Sequence, residues 1–113
     1  MSRPHLPLSN FIIVLTTVPN ETSGQVIAEK LLQDRNAACV TVLQPGTSFF
    51  WWEGKISREK EHLVLIKSRR ELYPSIQKTI IRHHPYQVPE IISFSVGEAW
   101  EPYLSWINKE TRS

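Results

Sequence analysis

The side chains that could do chemistry fall into two groups along this 113-residue sequence. Cys39 is its single cysteine. A thiol attacks or ligates as the thiolate, which requires a cationic neighbour or a base, and Lys67 or His84 would supply one only if the fold brings it close. Without such a neighbour Cys39 reads as a small buried hydrophobe. The second group is the polar run His83-His84-Pro85-Tyr86-Gln87-Val88-Pro89-Glu90. Neighbouring residues of a helix point about 100° apart, so His83 and His84 cannot both face one ligand. A cationic imidazole at a helix C-terminus is equally well explained by the helix dipole. The two prolines stiffen the backbone around Tyr86 and Gln87, and stiff loops position binding groups well. Glu90 either reaches that same pocket or takes part in an ion pair. One thiol with imidazoles from His62, His83 or His84 would suit copper or another late transition ion by ligand softness, particularly if subunits share the ligands.

The elements that must position these groups are legible from periodicity. Phe11–Val18 is a continuous apolar run bounded by Asn10 and Pro19, the pattern of a central strand buried on both faces. Asn20 offers a helix cap, and Ile27, Ala28, Leu31 and Leu32 recur at helical spacing until Asn36. A long arm then runs from Ala37 to Trp52, turns at Glu53-Gly54-Lys55 and returns through Leu63–Lys67, one oversized hairpin interrupted by a bend at Pro45-Gly46. Fully extended, its outgoing arm would span about 50 Å, whereas a domain of this length has a radius of gyration near ~13 Å. The ribbon must overhang its own core. Trp51 and Trp52, adjacent in a strand, face opposite sides, so one lines the inner face and the other is left for a neighbour. Leu72, Ile76 and Ile80 mark a second helix over residues 70–84, with Pro74 in its first turn. Val88–Val96 is a short strand, edge-like because of Pro89, and Ala99–Asn108 an aromatic-rich helix.

Strand, helix, strand, strand, helix, strand is the order of an α+β, ferredoxin-like split βαβ sandwich, here with a long central β-hairpin and an extra C-terminal helix. Right-handed crossovers put both helices on one sheet face. The other face, and a ribbon carrying two Phe and two Trp, need a cover, and a second copy of the chain is the economical one. The expected organisation is a flexible N-terminal tail over residues 1–10, one domain over 11–109 and a polar C-terminal tail over 110–113.

Composition removes several function classes. Thirteen basic against 11 acidic residues give a formal charge of +2, which offers no basic stripe for nucleic acid. One cysteine cannot close an internal disulfide, so a reducing compartment is compatible. The first ten residues hold no apolar stretch long enough for a signal peptide or membrane span, and the expectation is a cytoplasmic protein without membrane or nucleic-acid partners. Cys-x-x-Cys, His-Glu-x-x-His and acidic calcium loops are absent, which excludes a closed structural zinc site from one chain. With only four glycines and no phosphate-cradling loop, a nucleoside-triphosphate enzyme is not indicated.

Ala37-Ala38-Cys39-Val40, Trp51-Trp52-Glu53-Gly54-Lys55-Ile56, His84-Pro85-Tyr86-Gln87-Val88-Pro89-Glu90-Ile91 and Tyr103-Leu104-Ser105-Trp106-Ile107 resemble the CutA divalent-ion tolerance proteins. The resemblance spans Phe11 to Ile107. It implies a ferredoxin-like subunit in a tight homotrimer, hairpins paired across subunits as in PII-like signalling proteins, a link to tolerance of copper and other divalent ions, and no established enzymatic activity. Carried over by position, the family's thiol falls on Cys39, its hairpin tryptophan on Trp52, its strand lysine on Lys67 and its His-Pro-Tyr motif on His84 and Tyr86. With Glu90 in the neighbourhood these are the candidate lining of a ligand-binding cleft between subunits, and Cys39 and His84 are the candidate metal ligands. No cofactor is obligatory on this reading, and a divalent cation such as copper, or a small molecule, is the expected ligand. The family usually has glutamate where this chain has Gln87, which removes one anionic ligand or base. The alternative, from another class, is an enzyme with Cys39 as nucleophile and His84 or Lys67 tuning its ionisation.

Overall fold

A computed structural model describes residues 8–113. Its first strand, β1 (Phe11–Val18), shows how the apolar run is used. Ile12, Val14, Thr16 and Val18 are fully buried on one face. On the other face Phe11 and Thr17 are buried at the two ends while Ile13 and Leu15 between them are only half-buried, so within one chain the expected double-sided burial is incomplete in the middle of one face. Helix α1 (Glu21–Gln33) starts where the Asn20 side-chain oxygen accepts the Ser23 amide at 2.8 Å. It ends three residues before Asn36, because Arg35 takes a left-handed conformation, φ 58°, that turns the chain back towards the sheet.

The long arm is two strands rather than one. β2 (Cys39–Val42) and β3 (Gly46–Trp52) are separated at Leu43–Pro45, where the missing proline donor breaks the ladder. The 15-residue β4 (Lys55–Arg69) returns along both. Glu53 and Gly54, with φ of 49° and 77°, form the tight turn between β3 and β4. A short 3-10 turn (Arg70–Leu72) leads into α2 (Tyr73–His83), which carries Pro74 in its first turn, where no amide is needed. β5 (Ile91–Ser95) and α3 (Glu101–Glu110) complete the chain.

The sheet is antiparallel throughout, in the order β2-β4-β1-β5, with β3 continuing along the free end of β4. β1 and β2 therefore run the same way with β4 between them, and β4 and β5 run the same way with β1 between them. Helices α1 and α2 cover one face, where Ile27 and Leu31 from α1 and Ile76 and Ile80 from α2 close over Val14, Val18, Val64 and Ile66. Each such fully buried side chain contributes on the order of 2 kcal/mol through the water it no longer orders. On the opposite face α3 covers only the end next to Phe11, through Leu104 and Ile107. The remainder of that face, including Leu63, Ile92 and Phe94, is exposed apolar surface.

Residues 1–7 of the expected tail lie outside the described residues. Leu8 packs against the Phe11–Leu104–Ile107 cluster, so order begins before residue 11. At the other end, residues set aside as a polar tail are bonded into the domain. Arg112 donates to Asn36 Oδ1 at 2.7 Å and to Ser75 Oγ at 2.8 Å, and Arg69 donates to Thr111 Oγ1 at 2.8 Å. The chain measures 60 × 26 × 23 Å. Its length comes from the β3–β4 ribbon, which projects past the four-stranded part of the sheet.

Candidate functional site

Register decides which residues of the ribbon share a face. The pairs Gly46↔Glu61, Ser48↔Glu59, Phe50↔Ser57 and Trp52↔Lys55 put Phe50 and Trp52 on the same side as Glu59 and Glu61. The alternating residues Phe49, Trp51, Arg58 and Lys60 take the reverse side. The two glutamates therefore stand opposite the two smallest residues of β3, while the aromatic rings stand further out towards the tip. A trough results, acidic in its floor and aromatic at its outer end.

The loop after α2 forms the facing wall, and His84 fixes it. His84 is 8% exposed. Its Nδ1 accepts the Tyr86 amide at 3.0 Å and its Nε2 lies 2.6 Å from the Thr17 carbonyl oxygen. A ring nitrogen that accepts carries no proton, so the proton sits on Nε2 and is donated to Thr17. Both nitrogens of His84 are thus engaged in holding the loop to β1. The Tyr86 ring packs against the His84 ring, centroids 4.9 Å apart, and its hydroxyl donates to Glu61 Oε2 at 3.0 Å. Burial, then the hydrogen bond to Glu61 and the charges of Glu61 and Glu59, push the Tyr86 hydroxyl up to about 12. Between ribbon and loop lies an open cleft of about 860 Å³, whose lining includes Phe50, Trp52, Glu59, Glu61, Tyr86 and Glu90.

Of the six residues expected at one site, the structure brings Trp52, Tyr86 and Glu90 to this cleft and gives His84 the job of anchoring its wall. Gln87, in the place of the family's usual glutamate, also lines it. Cys39 and Lys67 are elsewhere. They pair with each other across β2 and β4, at the end of the sheet covered by α3. The Cys39 Sγ lies 4.0 Å from Thr41 Oγ1, and the Lys67 ammonium stands over the Tyr103 ring, 5.8 Å from its centroid. Tyr103 in turn stacks on Trp106 at 5.6 Å.

Lys67 faces Ile13 on β1, and Thr17, which His84 holds, is four residues further along. With about 3.3 Å per residue and about 4.8 Å per strand, Cys39 and Thr17 are separated by roughly 16 Å of backbone. One chain therefore does not form a joint Cys39–His84 metal site. Among the described residues no group of three or more histidine, cysteine or acidic side chains is placed to hold a metal ion. Glu59 and Glu61 went unnoticed in the sequence. Their signal was the Glu59-Lys60-Glu61 alternation, which on a strand sets two carboxylates on one face.

Comparison with known proteins places this chain among relatives of one kind. The family model described as CutA1 divalent ion tolerance protein matches residues 12–110. A protein named divalent-cation tolerance protein CutA, from Yersinia pestis (strain Pestoides F), is 43% identical over 100 residues, covering 88% of this chain and 84% of the relative. Among solved structures, CutA from Xylella fastidiosa superposes with a TM-score of 0.89 at 35% identity, over 92% of this chain and all of that one. CutA1 from Oryza sativa gives 0.88 at 34% identity, over 91% and 94% of the respective chains.

Proposed function

The chain belongs to the CutA1 divalent ion tolerance protein family, and on that premise we propose that it serves divalent-cation tolerance as a homotrimer of ferredoxin-like, PII-like subunits in the cytoplasm, binding a divalent cation such as copper, or a small ligand, at clefts between subunits. This is a binding and sensing role. The family is not a known enzyme family. Among the described residues no helix is long and apolar enough to cross a membrane.

The observation that carries the reading is the uncovered sheet face. Ile13, Leu15 and Leu65 are half-covered, and Leu63, Ile92 and Phe94 are exposed beside them, continuous with a projecting ribbon whose Phe50 and Trp52, on the same side, are also exposed. Contiguous apolar surface of this kind marks an interface, and a second copy that covers it also adds walls to the clefts. Association of copies is the remaining route by which Cys39 of one chain and the cleft of another come together. The thiol-enzyme alternative is not favoured. His84 uses both its nitrogens to hold a loop and lies far from Cys39. Lys67 is the cross-strand partner of Cys39, but its ammonium stands over the Tyr103 ring, and the contact of the thiol is with Thr41 Oγ1.

Sedimentation of the native protein at micromolar concentration tests the assembly, with a species of three chains expected and a lone chain overturning it. Copper titrated into wild type and Cys39→Ser tests the metal. A lower stoichiometry or affinity in Cys39→Ser is expected, and equal values remove Cys39 from the site.

A further inference from the structure

The cleft's composition is more selective than a general cation site. Glu61 is 9% exposed, and its carboxylate has Tyr86 as its hydrogen-bond partner through Oε2. Among the described residues, neither Glu61 nor Glu59 nor Glu90 forms an ion pair. The lining includes no Lys, Arg or His. Arg58 and Lys60 take the reverse face, and Lys55, which shares the face of Glu59 and Glu61, stands at the ribbon tip opposite Trp52. A nearly buried carboxylate beside an aromatic wall, with no ion pair among the described residues and no basic residue in the cleft lining, suits a cation from outside.

Geometry separates the kinds of cation. Glu59 and Glu61 are two residues apart on one strand face, about 7 Å along the ribbon. A divalent ion gathers its oxygen ligands at roughly 2.0–2.6 Å, so ligating carboxylates must converge on a point. The described residues offer no such convergent group. A chain carrying several ammonium groups has the opposite requirement. It needs charges spaced along a line and apolar surface for the methylenes between them. The floor supplies the first through Glu61 and Glu59, with Glu90 on the facing wall, and the rings of Phe50, Trp52 and Tyr86 supply the second. Aromatic faces also attract alkylammonium ions directly. Gly46, across from Glu61, would meet nothing within 4 Å if it carried a Cβ, so the floor is open where the carboxylate stands.

We propose that this cleft binds a linear aliphatic polyamine, its ammonium groups held by Glu61, Glu59 and Glu90 and its methylenes lying on Phe50, Trp52 and Tyr86. This rests on the reading of the cleft as the ligand site and names the chemistry of the ligand. Charge-assisted hydrogen bonds to Glu61, the least hydrated of the three, supply most of the discrimination.

Calorimetric titration of the full-length protein with spermidine, and separately with copper(II), tests it in wild type, Glu61→Gln, Trp52→Leu and Lys60→Gln. Glutamine keeps an oxygen to accept the Tyr86 hydroxyl, so Glu61→Gln tests charge rather than folding, and circular dichroism verifies that each variant is folded. Expected are saturable spermidine binding, weakened about tenfold or more by Glu61→Gln, weakened also by Trp52→Leu, and unchanged within about twofold by Lys60→Gln on the other face. Spermidine binding that Glu61→Gln leaves intact, or that all charge variants alter alike, overturns the proposal. Copper binding that Trp52→Leu or Glu61→Gln weakens, without any spermidine binding, overturns the polyamine and leaves the cleft as a ligand site. Binding of neither probe at these residues removes both.

Discussion

The Tyr86 hydroxyl donates to Glu61 Oε2 at 3.0 Å, tying the loop after α2 to a ribbon strand 25 residues earlier in the chain. That bond joins the two walls of the cleft. It also gives a poorly hydrated carboxylate a donor, without neutralising its charge.

Replacing Tyr86 with phenylalanine removes the donor and keeps the ring against His84. A partly buried hydrogen bond to a charged acceptor contributes about 1–2 kcal/mol. Urea denaturation of Tyr86→Phe should show a loss of that size, and an unchanged midpoint would mean that the bond is replaced by water without cost.

The same residue makes stability depend on alkaline pH. In the folded chain the hydroxyl is pushed up to about 12 from an ordinary value of 10.0. Between those values the unfolded chain has released the proton while the native chain still holds it, so unfolding is favoured as pH rises. The contribution is fully present below pH 10 and is lost towards pH 12. Wild type should therefore lose its advantage over Tyr86→Phe between pH 9 and pH 11.5, as read by urea midpoints. A gap of constant size at both values contradicts the assignment.

Asn20 caps α1 through its side-chain oxygen on the Ser23 amide. Asn20→Ala leaves that amide to water and should cost about 1 kcal/mol, while Asn20→Ser or Asn20→Asp should restore most of it. Thermal melts of the three variants decide the point.

Phe94 is 51% exposed on the open sheet face. Phe94→Glu should change the stability of an isolated chain by no more than about 0.5 kcal/mol. Placed inside an interface between copies, however, an unpaired carboxylate is costly. The expected result is a sedimenting species smaller than wild type with helical content retained. Unaltered assembly would show that this part of the face is not the interface.

Much of the architecture is local chemistry and was legible as such. The apolar run of β1, the Asn20 cap, the Glu53-Gly54 turn and the proline in the first turn of α2 are each decided by residues within one element, because hydrogen bonding and backbone sterics act over a few positions. Alternation along the ribbon likewise predicted that Trp51 and Trp52 would part, and Trp52 lines the cleft. Family membership followed from the same short motifs.

What the residues gather around was decided by register. Cys39 is brought opposite Lys67, and His84 is held to Thr17, four residues along β1 from Lys67's partner Ile13, so groups expected at one site stand at separate places in a single chain. Glu61 acquires its meaning from a tyrosine 25 residues later, and Arg112 from Asn36 and Ser75. Periodicity reports which face of an element a side chain takes. It carries no measure of how far one strand slides along another, since that depends on loop lengths and on packing summed over the whole core. Local sequence thus determined most of the elements, their faces and the family, and the tertiary structure alone decided which side chains meet and that Glu59, Glu61 and Glu90 share one cleft.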